Sequence, residues 1–165
     1  MAERWIRYDL TDYSNTTSIE TSLDTRTDVT VCERALAAAA SCLLITSILV
    51  TWVTTVGSAI KSLSDQQSCG RSSGALDGIS WVYYSAGQNC DTTAEAATIS
   101  GALEQHLKAI DGNSLCYTEC LDLTHSGTWN GYLLIGPTAS FQSSLYCGPT
   151  LSFTSCTQGG VNNLG

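Results

Sequence analysis

Proline is almost absent from this chain, with two in 165 residues, and charge is sparse, at 13 % of positions. A disordered chain has the opposite balance, rich in charge and poor in apolar residues, so this composition excludes a wholly disordered protein. Basic residues are few as well: seven against fifteen acids, for a net charge of −8. Residues 1–34 carry Arg4, Arg7, Arg26 and Arg34 against seven acids, and residues 61–165 carry Lys61, Arg71 and Lys108 against eight. No stretch collects positive charge, so the electrostatic attraction that underlies nucleic-acid binding is missing and nucleic acid is not an expected partner.

Catalytic patterns are missing too. The chain has no G-x-S-x-G elbow, P-loop, dinucleotide fingerprint or EF-hand loop. Asp122, His125 and Ser126 lie close in sequence, but without an elbow to hold a nucleophile His125 reads as an exposed turn residue. His106, among Glu104, Gln105 and Lys108, reads as lying on the solvent side of a helix. The aromatic residues Trp81, Tyr83, Tyr84, Trp129 and Tyr132 read as sheet packing, with a ligand platform on Trp81 and Tyr83 as the alternative. No catalytic, cofactor-binding or metal-binding residue is assigned, and a non-enzymatic protein without a cofactor is expected.

Cysteine, in contrast, is abundant: Cys32, Cys42, Cys69, Cys90, Cys116, Cys120, Cys147 and Cys156. A zinc site usually presents two close pairs, whereas here Cys116 and Cys120 form the one close pair and the histidines do not repeat its spacing. Disulfides are the better reading, with Cys69, Cys90, Cys116, Cys120, Cys147 and Cys156 as an even set, and they require an oxidising compartment.

Along the chain, residues 1–30 are polar and are expected to form a disordered leader, without the basic start and apolar run of a signal peptide. Asn15 opens an N-glycosylation triplet, Asn15-Thr16-Thr17. Residues 35–60 hold no charge over 26 positions, about 39 Å as a helix, which makes the segment a membrane-spanning candidate. On a helical wheel, Ser47, Thr51, Thr54 and Ser58 form a hydroxyl stripe opposite Ile45, Leu49, Trp52, Val56 and Ile60. That division suits either a helix packed on a sheet or one paired with others in a membrane. The expected helix spans 31–63.

Residues 62–78 read as a polar linker ahead of a stapled domain, residues 64–165. Strands are expected at 79–85, 115–124, 128–135 and 151–156. A helix opened by a Thr92-Thr93-Ala94-Glu95 capping box runs to Ile110, and Pro137 starts a short helical or loop segment reaching Leu145. The second and third strands pair as a hairpin. The order is a split βαββαβ arrangement: an α+β fold with an antiparallel sheet of about four strands, helices on one face and the long hydrophobic helix in front. In that arrangement Cys90 and Cys147 meet at one end of neighbouring strands and Cys69 and Cys156 at the other. Cys116 and Cys120, about 13 Å apart on one strand, cannot bridge each other.

The runs Trp81-Val82-Tyr83-Tyr84-Ser85-Ala86-Gly87 and Asn89-Cys90-Asp91-Thr92-Thr93-Ala94 resemble secreted, cysteine-rich yeast proteins related to killer toxins, the Khs-like group. Gly127-Thr128-Trp129-Asn130-Gly131-Tyr132, Tyr146-Cys147-Gly148, Ser155-Cys156 and Gly159-Gly160-Val161-Asn162 extend the resemblance over about residues 35–163. It implies a secreted protein without a cofactor, either a membrane-active toxin or an inactive relative, and carries over no particular functional residue. The chain departs from the group in lacking dibasic processing sites and an evident signal peptide. The expectation is therefore a secreted, killer-toxin-like protein that perturbs target membranes through helix 35–60. The alternative is a non-toxic secreted or membrane-anchored protein, with residues 64–165 outside the cytoplasm, that binds a cell-surface or cell-wall partner.

Overall fold

The computed structural model describes residues 28–87, 90–125 and 129–165. The expected leader falls mostly outside that range, as does Asn15, and its last residues join the fold: strand β1 spans Val29–Leu44. This is the largest correction to the sequence reading. Residues 31–44, expected as the front of the helix 31–63, are extended, and β1 pairs antiparallel with strand β4 (Ser114–Thr124), from Thr30 opposite Thr124 to Leu44 opposite Ser114. Alanine prefers a helix by less than about 1 kcal/mol per residue, a preference that ladder bonds and packing override. The alanine run instead lets β1 bulge, once between Ala35 and Ala37 and again between Ala38 and Leu43.

Helix α1 occupies Leu49–Asp65. Leu49, Trp52, Val56 and Ile60 are buried in the core, and so is Ile45, which sits in the turn before the helix. Ser47, Thr51, Thr54 and Ser58 face solvent. The wheel was therefore correct for this helix, and its apolar face packs within the protein; the edge of Trp52 meets Trp81 with ring centroids 6.2 Å apart. Among the described residues no helix is long and apolar enough to cross a membrane.

The linker expectation fails next. Strand β2 (Ser72–Leu76) and strand β3 (Ile79–Gly87) form a hairpin in which Leu76 faces Ile79. Asp77 and Gly78 between them have φ of 55° and 88°, as a two-residue type I′ turn requires. Helix α2 (Ala96–Ala109) follows, starting later than expected. The capping box does not form: Thr92 Oγ1 accepts from the Ala94 amide, and Glu95 caps the helix without a side-chain bond. Strand β4 and strand β5 (Trp129–Pro137) pair as the expected hairpin. The expected short helical or loop segment after Pro137 is a 3₁₀ turn at Thr138–Ser140 followed by irregular chain, and strand β6 is Thr154–Gly159, three residues later than expected.

Among the described residues the fold is α+β, with two α-helices and one antiparallel sheet of six strands, in the order β2-β3-β5-β4-β1-β6. The expected split motif survives locally, since β5 lies between β3 and β4, the two strands joined through α2. The last strand is misplaced in the four-strand scheme: β2 takes the place beside β3, and β6 pairs with β1 at the far edge. The sheet therefore begins at residue 29, and β1 is as internal to it as β4 or β5.

One face of the sheet, through Val29, Val31, Trp81, Tyr83, Leu121, Leu123, Leu133 and Ile135, packs with α1 and α2 into the main core. On the other face Cys120, Tyr132 and Leu134 meet Phe141, Leu145, Leu151 and Phe153 from the irregular segment before β6. Four disulfides tie this together: Cys32–Cys156, Cys42–Cys116, Cys69–Cys90 and Cys120–Cys147. Every cysteine is oxidised. The expected pairs Cys90–Cys147 and Cys69–Cys156 are not formed, because both relied on β6 lying beside β3. Cys116 and Cys120 do go to different partners.

Candidate functional site

Antiparallel pairing puts directly opposed residues on one face, so Glu33, opposite Leu121, and Glu119, opposite Ala35 and Ile135, both point to the helix side of the sheet. There the apolar core ends in a group of ionisable residues: Glu33 from β1, His106 from the last turn of α2, Asp111 from the following turn and Glu119 from β4. One ligand atom of each lies within 4.8 Å of every other. His106 and Glu119 have no solvent exposure, and the Glu33 side chain keeps 15 %. Near neighbours in sequence placed His106 on the solvent side of α2, yet this helix is enclosed nearly all round. The C-terminal segment crosses it so closely that a Cβ on Gly101 would strike the Gly160 carbonyl, and the Gly165 amide donates to Glu104 Oε1 at 3.0 Å. Lys108 closes the other side of Glu104 with an ion pair of 2.6 Å.

The hydrogen bonds fix the imidazole. His106 Nδ1 lies 2.9 Å from Thr157 Oγ1, and Nε2 lies 3.0 Å from Glu33 Oε1. Glu33 and Thr157 immediately follow the two halves of the Cys32–Cys156 bridge. A bulge in β6 between them carries Ser155 at φ 51°. The carboxyls fare differently: both oxygens of Glu119 and Oδ2 of Asp111 are buried without a hydrogen-bond donor. Burial drives the Glu119 carboxyl far above the usual carboxylate range, reinforced by the negative charges of Asp111 and Glu33. Burial also raises Asp111. Three carboxyl groups in one buried space, with one imidazole, need protons or a cation between them.

A spacing search could not find this group, since its members come from separate elements and Glu33 lies 73 residues from His106. His125, expected at an exposed turn, is 3 % exposed, with Nδ1 3.2 Å from Thr93 Oγ1. The aromatic residues divide between the two faces: Trp81, Tyr83 and Trp129 enter the main core, while Tyr84 and Tyr132 stack on the outer face with centroids 5.7 Å apart. Beside Tyr84 a cavity of about 290 Å³ is lined by Arg71, Val82, Leu134, Ser143, Ser144 and Tyr146, among others. The Arg71 guanidinium lies over the Tyr84 ring, 5.0 Å from its centroid. Tyr146 is half exposed, its hydroxyl accepting from the Thr150 amide at 3.3 Å.

Asp122 shares this outer face, opposite Tyr132 and Cys32, with Oδ1 buried and unpartnered. Burial pushes its carboxyl up to about 6. The folded state therefore holds a proton that the unfolded chain releases near pH 4, so this contribution to stability is present at low pH and lost as pH rises through about 6. Asp122→Asn should leave melting unchanged near pH 4 and raise the midpoint by a few degrees at about pH 8. Thermal melts across that range test it; a difference that does not vary with pH would show that the carboxyl is not the cause.

Comparison with curated proteins and with solved structures returns no match. A family model described as a family of unknown function, DUF6736, matches residues 19–146, a span that holds Glu33, His106, Asp111 and Glu119 and ends at Tyr146 of the outer cavity. That span is well over half of the chain, and the protein belongs to this family.

Proposed function

We propose that this is a secreted, non-catalytic binding protein that recognises a cell-surface or cell-wall glycan through the outer cavity beside Tyr84. The four disulfides fit an extracellular protein, because such bonds persist in oxidising compartments. Of the killer-toxin-like reading, the secreted and non-enzymatic part is kept. Membrane perturbation through helix 35–60 is set aside, since residues 35–44 are a strand and the apolar face of α1 is buried.

The observation that carries the binding reading is the Arg71–Tyr84 stack, which with Tyr146 lines a cavity of about 290 Å³. Such a cavity suits one or two sugar rings: an aromatic wall takes the C–H face, while the guanidinium and the Ser143 and Ser144 hydroxyls take ring hydroxyls. The Cys120–Cys147 bridge anchors Tyr146 to the sheet through its neighbour, so the wall is set before a ligand arrives.

Saturation-transfer NMR with soluble chitin, β-glucan and mannan oligosaccharides tests this. One class should bind at millimolar or lower concentration, and Tyr146→Ala or Arg71→Ala should weaken it about tenfold, or about 1.4 kcal/mol. Binding by none of the three, or equal binding by both variants, would refute the glycan reading.

A further inference from the structure

The sheet's other face offers a second site, independent of the glycan reading. Gathering three carboxyl groups, one fully buried and two partly so, within 4.8 Å of one another is costly unless positive charge lies among them. His106 is, among the described residues, the one basic side chain that reaches the group. Among the described residues, no lysine or arginine forms an ion pair with Glu33, Asp111 or Glu119. Glu119 is the decisive side chain, being fully buried, directed at the other three and bonded to no donor through either oxygen. Structural carboxylates in cores are normally held by backbone amides, arginine or a hydroxyl, and this one is not.

We propose that Glu33, His106, Asp111 and Glu119 bind a single divalent transition-metal cation of the Zn²⁺ or Mn²⁺ class. The donor set, three carboxylate oxygens and one imidazole nitrogen, selects this class. Calcium and magnesium prefer all-oxygen shells, whereas imidazole suits the first-row transition ions and carboxylates extend the range to manganese. Thiolate-seeking ions have no ligand here, because every cysteine is in a disulfide.

His106 is already set for the role. Thr157 Oγ1, 2.9 Å from Nδ1, can accept from it, and that arrangement would leave Nε2, 3.0 Å from Glu33 Oε1, to ligate a cation that displaces the proton shared between them. An outer partner on the second ring nitrogen is the usual means of fixing a metal-binding histidine. Ligand distances of about 2.0–2.2 Å require the donors to draw in by roughly an ångström at the widest pair, which side-chain rotation of Glu33 and Asp111 supplies. The partial exposure of Glu33 gives an entry path from solvent. The Cys32–Cys156 bridge holds Glu33 and Thr157 in register, so two parts of the site are joined covalently at adjacent residues.

The test uses the whole oxidised chain, stripped with chelator and titrated at neutral pH with Zn²⁺, Mn²⁺, Ca²⁺ and Mg²⁺ by calorimetry and thermal melting. One equivalent of Zn²⁺ or Mn²⁺ should bind and raise the melting midpoint, with Ca²⁺ and Mg²⁺ at the same concentration giving no shift. Glu119→Gln and His106→Gln should each weaken binding about 100-fold or more. If the variant at Glu119 does not fold, Glu33→Gln, at the exposed edge, replaces it. X-ray absorption of the zinc form should show oxygen and nitrogen donors without sulfur. Absence of binding by both transition ions would mean that protons alone hold the carboxyls together and would overturn the proposal. So would an equal response to calcium, a sulfur donor, or unchanged binding in the variants.

Discussion

Serine in place of both Cys32 and Cys156 is expected to cost the protein about 3–4 kcal/mol. The bridge joins residues 124 apart in sequence, but Cys42–Cys116 and Cys120–Cys147 already shorten the path between them. Closing the remaining loop of about 25 residues removes about 3.5 kcal/mol of conformational freedom from the unfolded chain. The native state loses too: β6 is short and pairs only with the first part of β1, so the bridge is its main tie to the sheet. Urea unfolding of the double variant beside the parent gives the difference directly. A loss below about 1 kcal/mol would mean that the β1–β6 ladder holds without its staple.

Trp52→Ala carries the second large effect, a destabilisation of about 3–5 kcal/mol, as expected for a fully buried indole replaced by a methyl group. Trp52 is completely enclosed and meets Trp81 edge-on, so the vacated space borders both the sheet and α1 and cannot close by moving one side chain. Thr54→Ala, two residues on and exposed, should change stability by no more than about 0.5 kcal/mol. The pair distinguishes the two readings of the hydroxyl-striped helix. If its apolar face served a membrane, losing Trp52 would leave the folded domain as stable as before; packed on the sheet, the same change should come close to unfolding it.

How far the sequence was legible depends on where the information lay. Helix α1 could be read because Leu49, Trp52, Val56 and Ile60 differ sharply from Thr51, Thr54 and Ser58, and that contrast has a helical period. The expectation of helix back through Ala35–Ala40 fails because a run of identical methyl side chains shows no contrast of period two, and because the partners that hold β1 extended lie on β4 and β6. The β2–β3 hairpin does have a local signal, Asp77-Gly78 between Leu76 and Ile79, but the serine and glycine before it give the segment the composition of a linker. The Glu33–His106–Asp111–Glu119 group was not legible, since strand order brings its members together. His106 shows the difficulty in one residue. Glu104, Gln105 and Lys108 mark a wet helix face, and nothing local announces that residues 159–164 lie across it.

The position of β1 also bears on the time course of synthesis. Strand β1 pairs with β4 and β6, whose partners reach as far as Gly159, so its ladder cannot be completed until Gly159 has been made. At ordinary rates of translation the interval is on the order of ten seconds, during which an apolar strand with two unpaired thiols must be kept from neighbouring chains. Oxidation is ordered in the same way. Cys69 can meet Cys90 early, Cys42 waits for Cys116, and Cys32 waits for Cys156 near the very end. The fold thus matures from its middle outwards, and strands β1 and β6 are secured together, last.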